Sequence, residues 1–156
     1  MKITLLVVGK TTDSHIEALI NDYQRRLVHY VPFALQVIPE LKNTKALTAE
    51  QQKQAEGESI LRQITSATDL VLLDEHGKEY RSIEYADYVQ KKMSSGRDVV
   101  FVVGGPYGFS DAVYARANGK ISLSKMTFSH QMVRLFFVEQ LYRAMTILRG
   151  EPYHHE

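Results

Sequence analysis

A continuous run rich in Ile, Leu and Val occupies residues 2–8 and stops at Gly9, the pattern of a buried strand. Ser14 and Glu17 form a possible capping box for the helix that follows, and Ile16, Leu19, Ile20, Tyr23 and Leu27 fall on one of its faces. Pro32 ends that segment, Phe33 to Ile38 has strand character, and residues 39–46 read as a polar, basic loop. Thr48 and Gln51 suggest a second capping box, opening a helix to about Ser66 with Ile60, Leu61 and Ile64 as its clearest apolar positions. Asp69 to Leu73 is the next predicted strand, closed by the turn signal Asp74-Glu75-His76-Gly77-Lys78. A helix over Ser82 to Met93, a strand over Val99 to Val103, a short helix after Ser110 and a brief strand over Ile121 to Leu123 follow in order. Strands alternating with helices predict an α/β fold, a mostly parallel sheet flanked by helices, as one domain spanning residues 1–156.

The final predicted helix, Gln131 to Leu148, breaks the one-sided pattern. Met132, Val133, Leu135, Phe136, Phe137, Val138, Leu141, Tyr142, Met145, Ile147 and Leu148 place apolar groups on most of its faces. Burial on two sides follows, by a central position in one core or by a second copy of the chain.

Composition narrows the chemistry. Hydrophobic residues make up 44% and charged residues 24% of 156, so a folded core is expected and disorder is not. The absence of cysteine removes disulfides, thiolate metal sites and cysteine nucleophiles together, and is compatible with a reducing cytoplasm. The N-terminal apolar run is too short for a secretory leader, and no stretch reaches the length of a membrane span, so a cytoplasmic protein without membrane contact is expected. Nineteen basic against 18 acidic residues give a net charge of +1, so any nucleic-acid binding must rest on local features.

Ligands of open α/β sheets bind beyond the carboxyl ends of the strands. Three exits stand out: Leu73-Asp74, Gly104-Gly105-Pro106-Tyr107-Gly108, and Leu123-Ser124-Lys125-Met126-Thr127-Phe128. Paired glycines after a strand let backbone approach a ligand, although a tight turn needs them equally. The segment matches neither the dinucleotide-binding glycine pattern nor a phosphate loop, and the histidines lack metal-ligand spacing, so no metal is expected. His130 and Arg134, one turn apart, read either as a helix cap with a surface charge or as a polar pair beside the third exit. Tyr153-His154-His155-Glu156 forms a second polar cluster after Pro152; read alone, such a tail is disordered.

At these residues the chain resembles the RlmH family of SPOUT methyltransferases. The likeness spans the whole length, through "VGK", "DYQRRL", "LDEHGK", "GRDVVFVVGGPYGFS", "ISLSKMTFSHQMVRLFFVEQLYRA" and "PYHHE". It implies a homodimer with a C-terminal trefoil knot, S-adenosylmethionine as cofactor, and methylation of N3 of a pseudouridine in helix 69 of 23S rRNA, in the bacterial ribosome or its large subunit. Residue by residue, it implies cofactor contacts at Leu73, Gly104, Gly105, Leu123, Ser124, Lys125, Met126, Thr127 and Phe128. It also implies RNA-side catalytic positions at His130, Arg143, Tyr153 and His154, with His154 or a bound water accepting the proton and Tyr153 orienting the base. The family often carries a longer basic residue where His155 stands, which puts a phosphate contact there in doubt. A noncatalytic RNA- or ribosome-binding module is the alternative, and donor affinity discriminates the two.

Overall fold

The computed structural model describes residues 1–155; Glu156, part of the polar tail singled out above, lies outside them. The chain runs β1 (Ile3–Val8), α1 (Ser14–Leu27), β2 (Phe33–Ile38), a short 3-10 turn, α2 (Ala49–Leu61), β3 (Asp69–Glu79), α3 (Ser82–Ser94), β4 (Val99–Val103), α4 (Asp111–Arg116), β5 (Gly119–Ser122) and α5 (Met132–Leu148). All five strands are parallel, in the order β2-β1-β4-β3-β5. Each connection must therefore cross over the sheet, and the helices that do so cover both faces.

Alternation along the strands divides the core. Ile3, Leu5, Val7, Val71, Phe101 and Val103 point to one face, where α5 lies between α1 and α3. Leu6, Leu70, Leu72 and Val102 point to the other, against Ile60, Phe109 and Val113 from the side of α2 and α4. Burying one such side chain completely is worth about 1.5–3 kcal/mol.

Several local expectations need correction. The cap of α1 is Asp13, whose carboxylate accepts from the amides of His15 and Ile16, and Ser14 is already helical. Leu19 faces solvent, because the buried stripe narrows to Ile20 and Leu27. The Thr48–Gln51 capping box forms as predicted, but α2 stops at Leu61, and Arg116 donates to the carbonyls of Thr65 and Thr68 in the segment beyond. The final strand starts and ends earlier than Ile121 to Leu123, and Leu123 opens the loop that follows.

The largest departure is at residues 74–78, where strand replaces the predicted turn. Ile121 pairs with both Leu73 and Lys78, so residues 74–77 bulge out of the ladder. Gly77 permits this: a Cβ there would stand 2.5 Å from the Ile121 carbonyl carbon.

The tail is ordered up to the end of the described residues. The amides of Gly150 and Glu151 bond the carbonyls of Ile147 and Thr146, and Gly150 has φ +69°, the left-handed helix ending that reverses the chain. Tyr30 then donates to the Glu151 carboxylate at 2.7 Å, which fastens the tail against the turn that follows α1.

Candidate functional site

The exits of β3, β4 and β5 open into one cleft of about 560 Å³, within the range of small-molecule sites. Its walls include Leu73, Gly104, Gly105, Leu123, Ser124, Met126, Thr127, Phe128 and His130. Lys125 is the expected cofactor residue that stays outside: its side chain is exposed and extends toward Glu79 at 3.9 Å.

Local hydrogen bonds shape these walls. Ser122 Oγ donates to the Ser124 carbonyl at 2.8 Å, and the Met126 amide donates to Ser124 Oγ at 2.9 Å, holding the 123–128 segment in a tight curl. Phe128 packs on Phe136 of α5 with ring centres 4.8 Å apart. In the glycine turn, the Gly108 amide returns to the Gly105 carbonyl at 3.1 Å, and Gly108 takes φ +80°. A Cβ on Gly104 would meet the Phe109 ring at 3.1 Å, so bulk at this position disturbs the wall from behind rather than filling the cleft directly. A Cβ on Gly105 would stand 2.1 Å from the carboxylate of Glu56.

The bulge of β3 contributes groups that were not among the expected contacts, although Asp74 stands at the first exit named from the sequence. Asp74, Glu75 and His76 line the cleft, with Tyr114 from α4 and Lys53 from α2. Tyr114 donates to the Asp74 carboxylate. Burial pushes the Asp74 carboxyl up, but that hydroxyl and the His76 amide outweigh it and hold the group below its ordinary range. The Tyr114 hydroxyl is pushed up to about 12 by burial and by the Asp74 carboxylate it serves.

Arg134 overturns both readings made for it. It is only 2% exposed and is not among the residues that wall the cleft. Its guanidinium donates to the carbonyls of Val8 at 3.0 Å, Gly9 at 2.9 Å and His130 at 3.0 Å, and to Thr11 Oγ1 at 3.2 Å. It thus staples the β1–α1 loop to the start of α5, and His130 is placed at the cleft as part of that staple.

The other three expected catalytic residues assemble elsewhere. Arg143 donates to Glu139 at 2.7 Å and to Nδ1 of His154 at 3.0 Å, and its guanidinium lies 4.7 Å from the Tyr153 ring centre. Tyr153 donates to the same Glu139 oxygen at 3.0 Å and lies 3.1 Å from the Tyr23 hydroxyl, which therefore donates to it. Burial first, then these two bonds, push the Tyr153 hydroxyl upward, so it remains a proton donor. Because guanidinium only donates, His154 Nδ1 accepts, and the ring proton belongs on Nε2. In this arrangement His154 has no lone pair left to take a proton. Arg143 stands roughly 15 Å along α5 from Val133, which lines the cleft. One copy of the chain therefore brings His130 to the cleft but leaves Arg143, Tyr153 and His154 as a separate cluster.

A buried parallel sheet whose exits on one side form a single cleft, walled by a glycine turn and a curled backbone segment, fits a small-molecule-dependent enzyme. The family model described as "Predicted SPOUT methyltransferase" matches residues 1–154, and the chain belongs to that family. The α/β-knot expected from the resemblance comes with that membership, and so does S-adenosylmethionine as methyl donor. A protein of Bacteroides thetaiotaomicron named "Ribosomal RNA large subunit methyltransferase H" is 61% identical over 157 residues, covering all of both chains. A Flavobacterium johnsoniae protein of the same name is 55% identical over 157 residues with the same coverage. Among solved structures, the tRNA (m1G37) methyltransferase of Aquifex aeolicus superposes with a TM-score of 0.57 at 11% identity, over 100% of this chain and 76% of that one, a likeness of fold alone.

No described helix is long and apolar enough to cross a membrane. Among the described residues no group of three metal-ligating side chains comes together.

Proposed function

We propose that this protein methylates N3 of a pseudouridine in helix 69 of 23S rRNA, acting as a homodimer in the cytoplasm on the ribosome or its large subunit. The observation that carries the reading is the cleft at the exits of β3, β4 and β5, in a chain that matches large-subunit rRNA methyltransferases end to end.

The residues present fit the donor. Backbone groups of the 123–128 segment suit the edge of an adenine, and the glycine turn leaves room for close approach. S-adenosylmethionine supplies a methyl group already activated by its sulfonium, so the protein's task is alignment and removal of one imide proton.

Arg143, on α5, and Tyr153 and His154, in the tail gathered around it, lie too far from the cleft of their own chain to serve it. In the proposed dimer they serve the partner's cleft, with α5 at the interface. The outer face of α5 supports this: Phe136 is 36% exposed, and Leu135, Ile147 and Leu148 are half-buried. Tyr153 orients the base there through its ring, since its one hydroxyl proton is given to Glu139. Water then accepts the proton, since Arg143 occupies the His154 lone pair.

The test incubates the protein with labelled S-adenosylmethionine and ribosomes lacking their methyl marks, then maps the label by mass. Methylation of assembled particles should far exceed that of an isolated helix 69 stem-loop, because a net charge of +1 gives naked RNA little electrostatic hold. Donor binding without transfer to any rRNA would leave only a noncatalytic RNA-binding module.

A further inference from the structure

Glu56 is 7% exposed, yet its carboxylate has one hydrogen bond among the described residues, a long 3.5 Å contact from Gln52. A buried carboxylate so poorly served is costly unless something cationic completes it. Its position is informative. Oε1 packs directly against Gly105, a glycine that lines the cleft and whose missing side chain lets this carboxylate come up to the turn. One turn earlier on the same face of α2, Lys53 lines the cleft directly; it pairs with Glu50 at 2.9 Å. A cation on the cleft wall and an anion packed on the glycine turn that borders it thus stand three residues apart on α2.

We propose that Glu56 and Lys53 form the subsite for the amino-acid end of the methyl donor, Glu56 facing its ammonium and Lys53 its carboxylate. The inference rests on the donor-site reading above and assigns it a polarity: nucleoside toward residues 123–128, amino acid toward α2. It also accounts for Gly105, since any side chain there would collide with the carboxylate that needs access to the ligand.

Calorimetry on the full chain separates the possibilities, with S-adenosylmethionine, S-adenosylhomocysteine, decarboxylated S-adenosylmethionine and methylthioadenosine as probes. Glu56→Gln keeps the shape and should weaken the first three, which all carry the amine, by about 10- to 100-fold, the range of a hydrogen bond to a charged group. Methylthioadenosine, which lacks the amino-acid end, should bind both proteins equally. Lys53→Met, at the rim, should weaken S-adenosylmethionine but leave its decarboxylated form unchanged. Equal weakening of all four probes by Glu56→Gln would assign Glu56 to shaping the glycine turn and overturn the proposal. Weakening of S-adenosylmethionine without S-adenosylhomocysteine would point to the sulfonium and overturn it too. Unmodified protein that binds no donor would remove the donor-site reading itself, and this inference with it. Acid provides a second readout: burial pushes the Glu56 carboxyl above its ordinary 4.5, opposed by the Gln52 hydrogen bond and then by His130, and reinforced by Glu40. Donor affinity should therefore fall, as pH drops, earlier than for an ordinary carboxylate, and the extra loss should vanish in Glu56→Gln once His130, Glu40 and Lys53 are common to both proteins.

Discussion

Replacing Arg134 by Met tests whether the β1–α1 loop and the cleft are held by one side chain. The substitution keeps length and hydrophobic stem but withdraws every donor from the carbonyls of Val8, Gly9 and His130 and from Thr11. Hydrogen bonds from a charged group are worth about 1.5–3 kcal/mol each, and part of that returns because a cation no longer has to be desolvated. Burial already pushes the Arg134 guanidinium downward, with Glu40 acting against that, so the desolvation cost is real. A net loss of about 3 kcal/mol follows, which for a chain of this size lowers the melting temperature by about 6–12 °C. Thermal unfolding measures the total, and hydrogen exchange at residues 9–12 locates it. Arg134→Lys should recover only part, since one ammonium cannot reach four acceptors spread over two segments. A Met variant melting within about 2 °C of the unmodified protein, with those amides still protected, would refute the staple.

Deleting residues 153–156 should leave folding and donor affinity nearly intact while methyl transfer collapses; mixing the deleted chain with a Gly104→Val chain should restore part of the activity if the tail works across the dimer. Phe136→Glu should split or unfold the dimer, which sedimentation reads directly, and a monomer of the unmodified protein with full activity would refute the interface. Tyr114→Phe should cost about 1 kcal/mol at neutral pH by depriving Asp74 of its hydroxyl donor. Because the folded Asp74 carboxyl lies below its ordinary 3.8, that contribution is present above this value and disappears as pH falls through the depressed one. Melting curves of the two proteins should converge in strong acid.

Much of this arrangement is legible along the chain, and the failures have physical causes. Val99–Val103 falls where its apolar run places it, because a doubly covered parallel strand needs continuous hydrophobicity, and Phe33–Ile38 keeps its predicted bounds although it is an edge strand with Gln36 and Val37 exposed. The three exits converge as expected, since a parallel sheet brings its carboxyl ends to one side. Residues 74–79 are polar and carry a turn-forming glycine, and only the pairing with Ile121, more than 40 residues away, makes them strand. Arg134 is invisible to periodicity because a charged side chain is read as a surface group until its acceptors are known. Glu56 is missed for the same reason: nothing in the local sequence says that Gly105 will pack upon it. The family resemblance supplies the expected site residues, yet the separation of His130 from Arg143, Tyr153 and His154 appears only when α5 is laid out in space.

The bonds from Arg134 to Val8 and Gly9 also set a timetable. A chain leaving a ribosome at about 5–20 residues per second makes β1 first and its guanidinium clamp roughly 6–25 seconds later. During that interval one edge of β1 can take β2, but the other waits for β4, which is itself made long afterwards. The cleft has no floor until β4 and no fastened rim until α5, so a nascent copy is catalytically idle until residues 132–148 have been made and packed.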